Sequence, residues 1–182
     1  VIFWDKDIRL ARSLEAAGIP VFNSSEAIEA CDDKSLTGII LAEKGIRTPK
    51  TIVAPKTYAS CGFCRKEFIE CSQGRDIRIN MVGRTAVASM YRHSANGDFR
   101  ANVTNGGLME YHQPNNREVD IALKCMDALG LDFAGIDILF GEDGPVVCEV
   151  NSNAHMKNIL MCTGINVADH IIRYVVSVIN NE

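Results

Sequence analysis

No apolar run in this chain of 182 residues reaches the roughly eighteen that a membrane span needs, and its opening residues do not read as a signal peptide. Basic residues do not predominate. Nineteen Lys and Arg stand against 23 Asp and Glu, a formal net charge of −4, which argues against general affinity for nucleic acid and leaves each basic residue to act singly. Neither GxxxxGK followed by Ser or Thr nor GxGxxG occurs, so a Walker loop and a Rossmann nucleotide site are disfavoured. There is no internal repeat and no low-complexity tract. Cysteine is present without the company that would give it chemistry. "CGFC" at Cys61 to Cys64 has no second CxxC to complete a zinc set, and it does not stand at the strand-to-helix turn of a βαβ unit as a thioredoxin-like motif would. Seven cysteines, an odd number spread through apolar segments such as "ALKCMDALG" and "VVCEV", fit reduced thiols in a cytoplasmic protein. The chain opens at Val1, not at methionine, from which we expect a missing front end. With 47% hydrophobic residues, it can bury a core of one domain or one and a fraction.

Along the chain, "DKDIRLARSLEAAG" carries Ile8, Ala11, Leu14 and Ala17 at helical spacing and stops at Gly18, and "IPVFN" then reads as a short strand, giving a βαβ-like opening. Ser24 or Ser25 can cap a helix to Ala30, and Asp32 or Asp33 can cap another through Lys44, ended by Gly45. "TPKTIVAPK" predicts a strand, and "RDIRINMV", Gly83-Arg84 and "AVASMYRH" predict a hairpin, followed by the loop "SANGDFRANVTNGG". A helix over 116–129, capped by Asn115 or Asn116 and stopped by Gly130, leads into a second hairpin, and a helix over 167–180 closes the chain.

That second hairpin, "DILFGEDGPVVCEVNSNAH", holds an acid near each outer end. Pro145 has no amide hydrogen to give a ladder, so the loop is drawn as 141–145, with Phe140 facing Val146. In that register Asp137 lies across from Glu149, with Cβ atoms roughly 5 Å apart. Alternation puts Ile136, Ile138, Phe140, Val146, Cys148 and Val150 on an apolar face, and Asp137, Leu139, Val147, Glu149 and Asn151 on the other. Two carboxylates about 4 Å apart repel by roughly 4 kcal/mol at an effective dielectric near 20, so either one is protonated or a cation sits between them. Asn151 adds a neutral carbonyl oxygen, and an all-oxygen set suits Mg²⁺ or Mn²⁺. Zinc is disfavoured, because Cys148 points away by parity and His155 lies beyond the strand end.

The first hairpin repeats the pattern. Ile77, Ile79 and Met81 share one face, while Asp76, Arg78 and Asn80 share the other. Arg100 and Asn102 are also two apart, in a Gly- and Asn-rich loop, and a guanidinium beside an amide suits phosphate or carboxylate. Two acids, an asparagine and several arginines on one polar sheet face point to Mg²⁺-nucleotide chemistry.

"KEFIECSQGRDIRINMVG", "GDFRANVTNGG", "ALGLDFAGIDILF" and "VCEVNSNAH", in this order, resemble the ATP-grasp ligases, in the RimK-like branch that includes the ribosomal protein glutamate ligases. The likeness is dense over 65–182 and looser before residue 58. It implies an α/β (α+β) ATP-grasp fold, an antiparallel sheet with flanking helices, and an ATP- and Mg²⁺-dependent carboxylate–amine ligase working through an acyl phosphate. On matching positions, it implies that Glu67, Phe68 and Ile69 form the hinge that reads adenine, with Asp76 near the nucleotide and Arg78 facing the reacting groups. Arg100, Ala101 and Asn102 match the segment that contacts the ATP phosphates, Arg100 stabilising charge during transfer. Asp137, Glu149 and Asn151 match the metal triad.

The sequence also departs from the family. Only eight residues separate Tyr58 from Glu67, where relatives insert a small lid domain, so we expect 1–58 to be the end of an N-terminal α/β domain and linker strand, 59–66 a junction where the lid is missing, and 67–182 the C-terminal catalytic domain. "SNAHMKN" follows Asn151 where many relatives have a small residue, proline and glycine, which leaves the acceptor open. The implied partners are ATP, an amino acid such as glutamate, and a carboxylate on a peptide, protein terminus or small molecule, with no membrane. Association into homo-oligomers stays open. Two rival readings remain, a catalytically silent ATP-binding regulatory module like synapsin and an enzyme joining free amino acids like D-alanine–D-alanine ligase.

Overall fold

Caps decide where the helices start and stop. In the computed structural model, which describes residues 1–54, 63–94 and 107–180, α1 (Ile8–Ala16) is capped by the Asp7 carboxylate, α2 (Ser25–Asp32) by the Ser24 hydroxyl and α3 (Lys34–Glu43) by Asp33. The helix α4 (Asn116–Leu129) carries a full capping box, Asn115 accepting from the Glu118 amide while Glu118 accepts from the Asn115 amide, and it ends at Gly130, whose φ of 62° is left-handed. The helices α5 (Lys157–Thr163) and α6 (Val167–Ile179) follow. The sequence had not suggested α5, which is one short segment without a side-chain cap.

Two sheets form. The strands β1 (Thr51–Ala54) and β2 (Phe63–Lys66) make an antiparallel pair, and β3 (Arg75–Val82), β4 (Thr85–Ser94), β5 (Gly107–Tyr111), β6 (Phe133–Gly141) and β7 (Gly144–Asn151) make an antiparallel sheet in the order β5-β4-β3-β6-β7. The predicted strand over "IPVFN" is reduced to one parallel bridge, Ile2 to Phe22. Pro20 cannot donate to a ladder, and the buried Asn23 amide is spent inward. It donates to the carbonyls of Phe133 and Ser152 and accepts from the amides of Asp132 and Phe133, fastening the first segment to the end of the sheet.

One sheet face is core along its length. Ile77, Ile79, Ile136, Ile138, Val147 and Val150 bury against α2, α3 and α4, each aliphatic side chain contributing about 1.5–3 kcal/mol. The other face is divided. Val82, Ala88, Met90 and Phe133 pack under α5 and α6, whose Ile159, Val167, Ile171 and Val175 cover them. Beyond that cover the same face turns polar.

The acid hairpin differs in detail from its sequence reading. Gly141 pairs with Gly144, so the loop is only Glu142-Asp143, and Leu139, not Phe140, faces Val146. That shifts every pair by one. A β-bulge at Cys148 then restores the register, since Ile138 pairs with Val147 but Asp137 pairs with Glu149. The acids face each other as expected, and the intervening residues trade faces. Val147 joins the core beside Ile138, while Cys148 lies toward the acids, where Lys66, Asp137, Glu149 and Asp76 all act on its thiol.

Candidate active site

Strand pairing assembles the polar face row by row. Arg78 of β3 lies across from Asp137 of β6, and Asp137 across from Glu149 of β7. One row along, Asn80, Gly135 and Asn151 are aligned in the same way, and in the other direction Asp76 faces Arg92 of β4. Directly opposed residues in an antiparallel sheet share a face, so six polar side chains drawn from three strands converge with Arg92 of a fourth on one surface. Gly135 keeps its row open, because a Cβ there would stand 2.4 Å from the Ala154 Cβ.

Three cations answer the repulsion between the acids. The Arg78 guanidinium grips Asp137 with two bonds, Nε to Oδ1 and an amino nitrogen to Oδ2, both 2.7 Å. Arg92 lies 3.1 Å from the same Oδ2 and holds Asp76 by bonds of 2.6 and 2.8 Å. Lys34, brought over the sheet by α3, pairs with Glu149 at 2.7 Å. The Arg92 and Asp137 side chains are only 8% and 7% exposed, whereas Glu149 is 36% exposed. Burial alone would raise the Asp137 carboxyl, but Arg78 and then Arg92 outweigh it and hold it below the usual carboxylate range. For Asp76 burial wins over its shared arginine, and its carboxyl titrates above the usual range. Arg92 is raised despite its burial by the two acids it joins. Burial also lifts the Cys148 thiol, which lies on the acid side and not, as parity had it, on the opposite face.

Glu67, Phe68 and Ile69, which the sequence likeness matches to an adenine hinge, lie between β2 and β3. The Glu67 backbone amide donates to the Lys50 carbonyl at 2.7 Å and its carboxylate accepts from the Lys50 amide at 3.0 Å, Phe68 is exposed, and Ile69 leads into a 3-10 turn, Glu70–Ser72. The Ser72 hydroxyl accepts from the Phe140 amide at 3.0 Å, tying this segment to β6. Arg100, Ala101 and Asn102 lie outside the described residues, as does Cys61. Sequence reasoning missed Arg92, Lys34 and Lys66, the last of which donates to the Cys148 carbonyl beside Glu149. For Arg92 a signal existed, since it alternates with Met90 in "SMYRHS", but only the pairing of β4 with β3 says which face that is.

Among the described residues no three of His, Cys, Asp and Glu converge as a metal cluster. The triad from the sequence counts two carboxylates and a carboxamide, and these fit a hard divalent cation. All donors are oxygen, Asp137 and Glu149 are directly opposed, and among the described residues the buried Asn151 amide nitrogen has no partner that fixes which way the group points.

The fold and this face define the class: the chain has the ATP-grasp fold. D-alanine–D-alanine ligase from Bacillus anthracis complexed with ATP superposes with a TM-score of 0.73 at 18% identity, over 93% of this chain and 74% of that one. A RimK domain ATP-grasp protein from Sphaerobacter thermophilus gives 0.69 at 16% identity, over 93% and 77%. Within that class, the chain belongs to the family of the RimK-like ATP-grasp domain, whose model matches residues 37–175. The probable alpha-L-glutamate ligase of Pasteurella multocida is 40% identical over 131 residues, 72% of this chain and 42% of that protein. The ribosomal protein bS6–L-glutamate ligase of Escherichia fergusonii is 36% identical over 138 residues, 76% of this chain and 46% of that protein. The chain thus spans about half the length of the curated relatives it matches.

Proposed function

We propose that this chain is the catalytic part of an ADP-forming carboxylate–amine ligase that uses ATP with Mg²⁺ or Mn²⁺. A substrate carboxylate oxygen attacks the γ-phosphorus, ADP leaves, and an amine attacks the carbonyl carbon of the acyl phosphate, losing a proton and expelling phosphate to leave an amide. The observation that carries this reading is the row Arg78–Asp137–Glu149, a guanidinium and two facing carboxylates fixed across three neighbouring strands. Asp137, Glu149 and Asn151 would hold the divalent cation, which neutralises charge on the phosphate oxygens.

The protein's own part is positioning and charge. Arg78 has five N–H donors and gives two to Asp137, so its plane is fixed while the other three can meet an oxyanion on the reacting group. On the family likeness Arg100, Ala101 and Asn102 form the segment that contacts the ATP phosphates, Arg100 supporting the group in transfer. Glu67, Phe68 and Ile69 receive adenine, and Asp76 orders the nucleotide side through Arg92. The amino acid is glutamate or one like it, and the acceptor a peptide, protein terminus or small molecule, in keeping with relatives named as glutamate ligases. Residues 1–58 then belong to an N-terminal domain and linker, 59–66 to the junction and 67–182 to the catalytic domain. The setting is the cytoplasm. Among the described residues no single helix is long and apolar enough to cross a membrane.

ADP release from ATP and Mg²⁺, measured with glutamate and a panel of carboxylate acceptors and followed by mass spectrometry of the product, tests the reading. Release that needs both substrates and vanishes in Glu149→Gln supports it. ATP binding without any turnover would favour a silent nucleotide-binding module, and release indifferent to Glu149→Gln would remove the metal site.

A further inference from the structure

Charge balance on the polar face constrains how a metal can enter. Among the described residues Asp76, Asp137 and Glu149 are its three carboxylates, and Arg92, Arg78 and Lys34 are bonded to them, so these six side chains together carry no net negative charge. Lys66, on the Cys148 carbonyl at the edge, adds a further cation. Asn80 and Asn151 are neutral. A divalent cation entering alone would meet acids whose charge is already answered by buried guanidiniums that cannot lose their protons. A polyphosphate changes the sum. Its own negative charge can engage the cations as the metal takes up the freed carboxylate lone pairs.

We infer that Arg78, Arg92 and Lys34 are built-in counter-cations that make this face select a metal–polyphosphate complex over the free divalent ion. The inference rests on the proposed nucleotide site and concerns its selectivity. Arg92 is the positioning member, since it joins Asp76 to Asp137 and is the most buried of the three. Lys34 is the adjustable one, because its pair with Glu149 is about one-third exposed at each end.

The test is a gain of binding, which a damaged fold cannot imitate. Titration of the full chain with Mn²⁺ alone, followed by the EPR signal of the free ion, should show no saturable site below about 1 mM, while calorimetry with Mn²⁺ and an uncleavable ATP analogue shows binding. Lys34→Met removes one positive charge beside Glu149 at little cost to the fold, and should tighten free Mn²⁺ by roughly tenfold, the effect of one unit charge at intermediate dielectric. Arg92→Met should tighten it by a similar factor. If that variant does not fold, Lys34→Met decides alone. Asp76→Asn combined with Arg92→Met removes an acid and a cation together and should bind free Mn²⁺ no better than wild type. Wild type that takes free Mn²⁺ at micromolar concentration and also binds the Mn²⁺–nucleotide complex overturns the selectivity and leaves the nucleotide site standing. Unchanged free Mn²⁺ affinity in Lys34→Met overturns it too. Wild type that binds neither the ion nor the complex overturns the proposed function with it.

Discussion

Asp137→Asn and Glu149→Gln each remove one charge from the same facing pair, and the structure makes their consequences for stability unequal. Asp137 is 7% exposed in its side chain and accepts from two arginines that are themselves 15% and 8% exposed. Neutralising it leaves both guanidiniums in the sheet with a weaker acceptor, and breaking a buried pair in this way costs about 3–5 kcal/mol. Glu149 and Lys34 are 36% and 33% exposed, where an ion pair is screened by water and contributes about 0–1 kcal/mol. In a chain of this size 1 kcal/mol moves Tm by roughly 2–4 °C. Asp137→Asn should therefore lower Tm by about 6–20 °C and Glu149→Gln by less than about 4 °C, in metal-free buffer. The hairpin alone suggests that removing either acid relieves repulsion and stabilises the sheet, but with Lys34 on Glu149 and two arginines on Asp137 little repulsion is left to relieve. Differential scanning calorimetry, with urea unfolding to check that the m-value is unchanged, measures both. Equal losses, or a greater loss for Glu149→Gln, would refute the assignment of burial and pairing on this face. Turnover should report the opposite similarity, since both variants lose a proposed metal ligand and both should lose ATP-dependent ADP release.

Further expectations concern pH, packing and the phosphate loop. The folded-state pKa of Asp137 is depressed, so its contribution is fully present above the unfolded carboxyl value of about 4 and is lost as pH falls through the lower folded value; the gap between wild type and Asp137→Asn in urea unfolding should narrow from pH 7 to pH 3. Gly135→Ala sets a methyl 2.4 Å from the Ala154 Cβ and should cost roughly 1–3 kcal/mol and weaken nucleotide binding, with Ala154→Gly restoring most of both; a tolerated single variant would show that the row at Asn80 and Asn151 is not tight. Arg100→Lys keeps the charge and loses the planar fork, so kcat should fall about 10²-fold with little change in ATP affinity, and steady-state values within threefold of wild type would remove Arg100 from the reaction.

Local chemistry wrote much of this protein in readable form. Asn115 and Gly130 delimit α4 because capping and left-handed backbone are properties of single residues, and alternation placed Ile77, Ile79, Ile136 and Ile138 in the core because successive strand side chains must point to opposite faces. It also put Asp137 opposite Glu149, although two deviations had to cancel for that to hold: a turn shorter than proline and glycine suggested, and an extra residue at Cys148. Counting by twos cannot detect a bulge, since one inserted residue reverses the face of its neighbours without leaving a mark in composition. Hence Val147 and Cys148 were exchanged between core and site. The counter-cations were beyond sequence for a second reason. Arg92 reaches Asp137 only through the pairing of β4 with β3 and β3 with β6, and Lys34 reaches Glu149 only because α3 packs over a strand 115 residues further along the chain. Which charge answers which acid is a property of nonlocal register and helix packing, and these are fixed when the core closes.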